Sequence, residues 1–207
     1  MVGEVLYYKS VTGVCAYDGA LPVEVSEPLG RVRYQNAAAG AYEGKYYISM
    51  EDEAGKAHLF VYDTARGLWH REDGTRAGCF CACREDLFFL DEAGCIRSVS
   101  GQGEPEGELP WMAQTGDLGT ESPDSKYLTR LTLRLSLPPG SQALLSVQYD
   151  REKVWYPLAR LQGSQEGCLT VPAAVRRCDR LRLKLEGTGP MTLFDLTKTL
   201  EQGSDVF

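Results

Sequence analysis

The stretch YEGKYYISMEDEAGKAHLFVYDTARGLWHRE, residues 42–72, decides the fold of this chain. Two apolar, aromatic-rich segments, residues 45–50 and 58–62, flank a polar turn that contains glycine, and this is the pattern of two strands joined by a hairpin. A turn at residues 63–67 then leads to a third short strand that carries Trp69. This order predicts one blade of a β-propeller, whose two faces neighbouring blades would cover.

The same pattern recurs on both sides of that stretch. Residues 6–26 and 80–99 each contain an aromatic strand, a second strand and a short third strand. Tyr8, Tyr47 and Phe88 are spaced at about 40 residues, the usual period of a propeller blade. A closed propeller has about 4 to 8 blades, so the roughly two to three blades predicted here cannot close a ring. Three explanations stay open: the chain is the C-terminal part of a longer product, the blades stack on another domain, or copies complete each other in a homo-oligomer.

Composition favours a soluble all-β protein and excludes two classes of partner. The 207 residues are 43% hydrophobic and 25% charged, and 22 glycines with 10 prolines suit a turn-rich fold. A net charge of −7 argues against a nucleic-acid partner, because phosphate recognition needs clustered Lys and Arg. No apolar run approaches the roughly 20 residues that span a membrane, and the N-terminus has no export signal pattern. We therefore expect an unexported protein with no nucleic-acid and no membrane partner.

The seven cysteines do not form a metal-binding pattern. Cys79, Cys81 and Cys83 alternate along one predicted strand, about 7 Å apart on one face, whereas zinc sites more often use two-residue gaps at a turn. We interpret them as small buried hydrophobic residues on a blade strand. The odd number of cysteines and the missing export signal favour reduced thiols. We predict no metal site.

A second domain follows residues 100–110, which are rich in Gly, Pro and Glu and read as a linker. The predicted domains are residues 1–110, a partial propeller, and residues 111–207. From Leu128 to Leu137 the sequence alternates, which indicates a half-buried strand. One face carries Leu128, Arg130, Thr132, Arg134 and Ser136, and the other carries Thr129, Leu131, Leu133, Leu135 and Leu137. Six or seven strands at intervals of roughly 10 residues predict a β-sandwich of jelly-roll type.

Several segments of the second domain resemble the C-terminal module of tail-associated structural proteins encoded by phages and prophages of Gram-positive bacteria. The segments are KYLTRL at 126–131, QYD at 148–150 with Trp155, VRRCDRLRL at 175–183 with EGTG at 186–189, and EQGSD at 201–205. The resemblance covers residues 120–207. The upstream motifs, YYIS at 46–49 and YDTARGLW at 62–69, resemble the propeller portion of the same proteins. The motifs concern strands and turns, and they carry over no catalytic residues.

The resemblance implies a non-enzymatic virion component of a phage tail or baseplate. Its partners would be other virion proteins and further copies of itself. It would be located in the virion when the prophage is expressed, and otherwise in the bacterial cytoplasm. The alternative is a carbohydrate-binding module that recognises a host glycan. Trp69, Trp155 and Tyr156 are the candidate binding surface, since an exposed aromatic platform favours sugar binding and buried aromatics favour assembly.

Candidates for catalysis are few. His58 and His70 are the only histidines, and each adjoins a blade strand. A Ser-His-Asp triad or a Cys-His dyad would need one of them in a cleft with a nucleophile, and the sequence does not indicate this. Glu51, Asp52 and Glu53 crowd one turn and could act as a carboxylate pair of a glycosidase, but a solvated turn explains them as well. No Gly-rich phosphate loop or zinc-protease motif occurs. We predict no enzyme activity, no catalytic residue and no cofactor.

Arg176, Arg177, Arg180 and Arg182 form a local cluster of positive charge. We interpret these four arginines as a solvated strand edge.

Overall fold

The fold is described from a computed structural model that covers residues 1–101, 110–120, 126–150, 152–173 and 176–202. It is all-β, as the sequence predicts, and it divides into two compact units, Met1–Pro105 and Glu106–Phe207. The predicted linker at 100–110 lies outside the described residues except at its ends. Within the described ranges, no helix is long and apolar enough to cross a membrane.

Residues 1–101 of the first unit form three antiparallel sheets built from consecutive strands. Blade one is β1 (Leu6–Lys9), β2 (Val14–Tyr17) and β3 (Val23–Glu24), blade two is β4 (Gln35–Tyr42), β5 (Lys45–Glu51), β6 (Ala57–Asp63) and β7 (Leu68–Arg71), and blade three is β8 (Phe80–Cys83), β9 (Asp86–Leu90) and β10 (Ile96–Ser98). A short 3-10 turn, Glu27–Leu29, follows blade one. In each sheet, neighbouring strands follow one another in the chain, which is the topology of a propeller blade.

Blade two buries both of its faces, because it lies between blades one and three. Five of the seven residues of β5 are buried, so the strand shows no alternation in burial. Tyr46 and Ile48 pack with Val14 of blade one, while Tyr47 packs with Leu87 of blade three. Successive side chains of a strand point to opposite faces, so one continuous apolar run supplies both interfaces. The expectation that neighbouring blades cover this sheet is confirmed.

In the second unit, the described residues form two antiparallel sheets. Its strands are β11 (Pro110–Gln114), β12 (Lys126–Leu137), β13 (Gln142–Tyr149), β14 (Tyr156–Gln162), β15 (Gln165–Pro172), β16 (Arg177–Cys178), β17 (Leu181–Thr188) and β18 (Thr192–Gln202). Sheet I has the order β11-β17-β13-β14. In sheet II, β12 is central and pairs with β18, β15 and β16.

The two sheets enclose one core, which makes the unit a β-sandwich. Sheet II contributes Leu131, Leu133 and Leu135, and sheet I contributes Leu145 and Leu183, all at most 2% exposed. The long strands pair in a nested manner, β12 with β18 and β13 with β17, as in a jelly roll. Each of these strands therefore places alternate residues in the core and on the outer face of its sheet.

One face assignment from the sequence is wrong. Leu128 is fully buried in the core with Leu131, although strict alternation places these two residues on opposite faces. The pairing of β12 with β18 shifts register between Leu128 and Arg130, which is a β-bulge at Thr129. A bulge adds one residue to one strand, so the side chains on its two sides change phase. The apolar residues before and after the bulge thus reach the same core.

Candidate functional site

Trp69 lies between blades one and two and is a structural residue. Its indole Nε1–H donates to the carbonyl oxygen of Val25 at 2.7 Å. One face of the indole stacks on Tyr62, with ring centroids 4.9 Å apart and 28° between planes, and the ring makes an edge contact with Tyr46. Both its polar group and its stacking face are therefore engaged inside the unit. A sugar platform would need that face exposed.

Replacing Trp69 with phenylalanine tests this role. The variant keeps most of the ring area but leaves the Val25 carbonyl without its donor, so we expect a loss of about 1 kcal/mol in the free energy of unfolding. Urea unfolding followed by circular dichroism measures it. Leu68→Ala is the control, because Leu68 is 60% exposed on the same strand. An effect no larger than that of the control would contradict the assignment.

Trp155 and Tyr156, the other two predicted aromatics, are half-buried at the end of sheet I. The Lys184 ammonium lies 4.7 Å from the centre of the Trp155 ring. The Arg176 guanidinium lies 4.9 Å from the centre of the Tyr156 ring, and the Tyr156 hydroxyl donates to Glu152 Oε2 at 2.9 Å. Each ring therefore has a cation over one of its faces.

A group of charged and phenolic side chains surrounds Tyr156. Arg176 pairs with Glu152 and also lies 5.2 Å from the centre of the Tyr149 ring. Tyr149 is 2% exposed, and its hydroxyl has no hydrogen-bond partner among the described residues. Burial raises the pKa of Tyr149, so this phenol stays neutral at physiological pH. The cluster joins the end of β13 to the residues before β16.

Arg180 and Arg182 converge on one carboxylate. Arg182 Nε donates to Asp117, and Arg180 Nη1 lies 3.3 Å from Asp117 Oδ2. The interpretation of these arginines as a solvated strand edge is wrong for Arg182. It lies on β17, which has β13 on one side and the segment after β11 on the other, where Thr115 donates to the Leu183 carbonyl. The hydrogen bond from Arg182 lowers the pKa of Asp117.

Stability of the sandwich should therefore depend on pH through Asp117. A carboxyl whose folded-state pKa is lowered stabilises the fold above its unfolded-state pKa, about 3.9, and this contribution is lost as pH falls through the folded-state value. We expect Asp117→Asn to unfold at lower urea concentration than the wild type at pH 7, and the difference to shrink steadily below about pH 4. Urea titrations at several pH values measure it. A difference that is independent of pH would contradict the assignment.

The two histidines and the acidic turn have structural partners. His58 Nε2 donates to Asp52 Oδ2 at 2.9 Å, and this hydrogen bond lowers the pKa of Asp52. Asp52 Oδ1 also accepts the backbone N–H groups of Ala54 and Lys56, which closes the turn between β5 and β6. Glu51 pairs with Arg76. His70 Nε2 donates to Glu72 Oε1 at 2.8 Å. His58, His70, Asp52 and Glu51 therefore each have a partner within the first unit.

The outer faces of blades one and three are apolar and exposed. Tyr7 contacts Tyr46 of blade two, so Leu6 points to the opposite face, together with its cross-strand partner Tyr17. Leu6 and Tyr17 are 41% and 40% exposed. On blade three, Leu87 faces blade two, and the opposite face carries Leu90 and its partner Ile96, which is 76% exposed.

Cysteines complete the outer face of blade three. Phe80 packs toward blade two, so Cys79, Cys81 and Cys83 lie on the other face. The sequence places the three on one face correctly, but the interpretation as buried small residues is wrong, because all three are exposed. A neighbouring blade would bury this face, and no sheet formed by residues 1–101 covers it. All seven cysteines are free, and in the described ranges no three His, Cys, Asp or Glu side chains are placed to bind a metal together.

A shallow groove lies on the outer face of sheet I, within the sandwich. Its volume is about 320 Å³. We name it the sheet I groove. The side chains that line it are Gln142, Leu144, Arg160, Gln162, Glu186 and Thr188. Cross-strand register places Gln142 between Gln162 and Thr188 in one row, and in the next row Leu144 lies between Arg160 and Glu186. These residues are not predicted from the sequence, because polar residues at alternate positions of a strand are also typical of an ordinary solvated face.

Comparison with known proteins gives only remote likenesses. No protein family matches the sequence, and no curated protein matches it. Among solved structures, a glycoside hydrolase family 43 arabinoxylan arabinofuranohydrolase from Bacillus subtilis aligns with TM-score 0.30 and 7% identity over 80% of this chain and 54% of its own. An exo-β-1,3-galactanase from Phanerochaete chrysosporium aligns with TM-score 0.29 and 8% identity over 94% of this chain and 65% of its own. The chain thus spans between half and two thirds of these two proteins, and likeness at this level supports no inference about activity.

Proposed function

We propose that this chain is a non-enzymatic structural protein that acts by protein–protein assembly, as a tail or baseplate component of a phage or prophage virion. The observation that carries the assembly role is the pair of exposed apolar outer faces on blades one and three. The virion context comes from the resemblance of the sandwich and blade motifs to phage tail proteins. Other virion proteins or further copies of the chain are the partners that this role requires.

The middle blade indicates what such a face does when it is covered. Tyr46 and Ile48 on one side of blade two are buried by blade one. Leu6 and Tyr17 on blade one, and Leu90 and Ile96 on blade three, are side chains of the same kind on the same kind of strand. Apolar strand faces that stay exposed mark interaction surfaces. Assembly would cover them as blades one and three cover blade two.

The alternative, host-glycan recognition through Trp69, Trp155 and Tyr156, has less support. Trp69 has its stacking face and its indole N–H engaged within the first unit. Trp155 and Tyr156 each carry a cation over the ring. None of the three side chains is fully buried, so the criterion that buried aromatics favour assembly is not met in full. The contacts on their rings are what weakens the case for a sugar platform.

Mass spectrometry of purified particles tests the virion role. Prophages of the source bacterium are induced, intact particles are isolated on a density gradient, and peptides of this chain and of any translated region upstream are quantified. We expect the chain in stoichiometric proportion to other tail proteins. Its absence from intact particles would overturn the virion role.

Substitution of Ile96 by glutamate tests the surface. Ile96 is so exposed that the charge should change the stability of the isolated chain by no more than about 0.5 kcal/mol. In assembly it would place a carboxylate in an apolar contact, so we expect incorporation into particles to fall several-fold. Val154→Glu is the control, since Val154 is 51% exposed in the other unit. Equal incorporation of the two variants would exclude the outer face of blade three as a contact.

A further inference from the structure

We propose that the sheet I groove binds an uncharged carbohydrate chain, through hydrogen bonds from side chains rather than through an aromatic platform. This inference concerns the second unit and does not depend on the assembly role of the blades. It also uses none of the three aromatic residues predicted from the sequence.

The lining offers hydrogen-bonding groups that the protein itself does not use. Within the described ranges, the side chains of Gln142, Gln162, Arg160 and Thr188 have no hydrogen bond or ion pair. Glu186, which also lines the groove, is paired with Lys184 at 2.8 Å. Amide side chains and a hydroxyl both donate and accept, which matches the hydroxyl groups of a sugar. The groove therefore gathers unused donors and acceptors.

The floor and the neutral polar groups favour an uncharged ligand. Leu144 is half-buried between Arg160 and Glu186, so an apolar floor lies between polar walls. Small-molecule sites combine these features, an apolar surface with a few convergent polar groups. Glu186 is paired with Lys184, and the guanidinium of Arg160 can donate to hydroxyl oxygens. The side chains of Gln142, Gln162 and Thr188 are uncharged, and they match the hydroxyl groups of a neutral sugar.

A peptide cannot add as a strand at the two inner strands of the groove, β13 and β17; β14, which carries Arg160 and Gln162, lies at the end of the sheet. β13 lies between β14 and β17, and β17 lies between β11 and β13, so the backbone groups of both strands are already paired. Strand addition needs a free sheet edge. A ligand on this face is held by side chains alone. These side chains project from paired strands, which hold them more firmly than loops would.

The test uses the full chain and an array of neutral linear oligosaccharides of two to six sugars, followed by titration calorimetry with the best binder. We expect binding to at least one neutral oligosaccharide. The double variant Gln142→Ala/Gln162→Ala should weaken it by at least about tenfold, since it removes several hydrogen bonds. Both side chains are exposed, so the variant should fold, and its circular dichroism spectrum and urea midpoint verify this.

Gln148→Ala is the matched control. Gln148 lies on β13 with its side chain on the same face as that of Gln142, but six residues along the strand, about 20 Å away. We expect its affinity to equal that of the wild type. Absence of binding to every neutral oligosaccharide, binding restricted to acidic ones, or equal loss in the control and the double variant would each overturn the proposal.

Discussion

Replacing Leu133 with alanine is expected to lower the free energy of unfolding of the sandwich by about 2 to 5 kcal/mol. Leu133 lies in the middle of β12, the central strand of sheet II, and it is fully buried. Its neighbours across the sheet are Leu169 on β15 and Leu196 on β18. The substitution removes buried methyl groups and leaves a cavity. The cavity cannot close easily, because backbone hydrogen bonds hold β15 and β18 to β12.

Urea unfolding followed by tryptophan fluorescence measures this loss. In a Trp69→Phe background the remaining tryptophans, Trp111 and Trp155, both belong to the sandwich, so the emission reports that unit alone. Arg134→Ala is the control, since Arg134 is the next residue of the strand and its side chain is exposed. We expect the control to change stability by no more than about 0.5 kcal/mol. Similar losses in both variants would contradict the sandwich core described here.

Gly40→Ala is expected to loosen the contact between blades two and three, with a loss of about 1 to 3 kcal/mol. A Cβ at Gly40 would lie 2.4 Å from Phe80 Cβ and 3.3 Å from Leu87 Cδ1. The nearest atom is attached directly to the backbone of β8, so a change of rotamer cannot relieve the overlap. Blade three must move away from blade two, and the packing of Leu87 against Tyr47 weakens.

Hydrogen exchange measured by mass spectrometry locates this effect. We expect faster exchange of the amides of β8 to β10 in the variant, because the blade loses packing on the face that contacts blade two. Gly116→Ala is the control, since a Cβ at Gly116 meets no atom within 4 Å. Unchanged exchange in blade three after the Gly40 substitution would contradict the close approach of the two sheets.

Most strands of this chain follow from local sequence. The nine strands predicted for the blades, three in each, are found near their expected positions, because aromatic and β-branched runs are separated by turns that contain Gly and Asp. β4 was not predicted. Its sequence QNAAAGAY has little β propensity; it pairs with β5 and packs against blade three, where Gly40 permits the close approach. That packing is tertiary and leaves no periodic signal.

The site residues were harder to predict, for physical reasons. Trp69 and Tyr156 are aromatic and adjoin turns, and the sequence does not tell whether a ring face is open or covered. Cys81 and Cys83 are small and often buried, but they lie on the face of blade three that no neighbour covers. The sheet I groove depends on which residues of three different strands share a row, and cross-strand register is set by the whole sandwich.

Thiol footprinting of assembled particles tests the central claim, that the outer blade faces are contact surfaces. Free chain and purified particles are treated with iodoacetamide, and alkylation of each cysteine is quantified by mass spectrometry. Cys168, exposed on the sandwich, reports reagent access, and Cys178, 3% exposed, reports intact folding. We predict that Cys81 and Cys83 react in the free chain and are protected in particles. Equal reactivity of these two thiols in both samples would contradict the account.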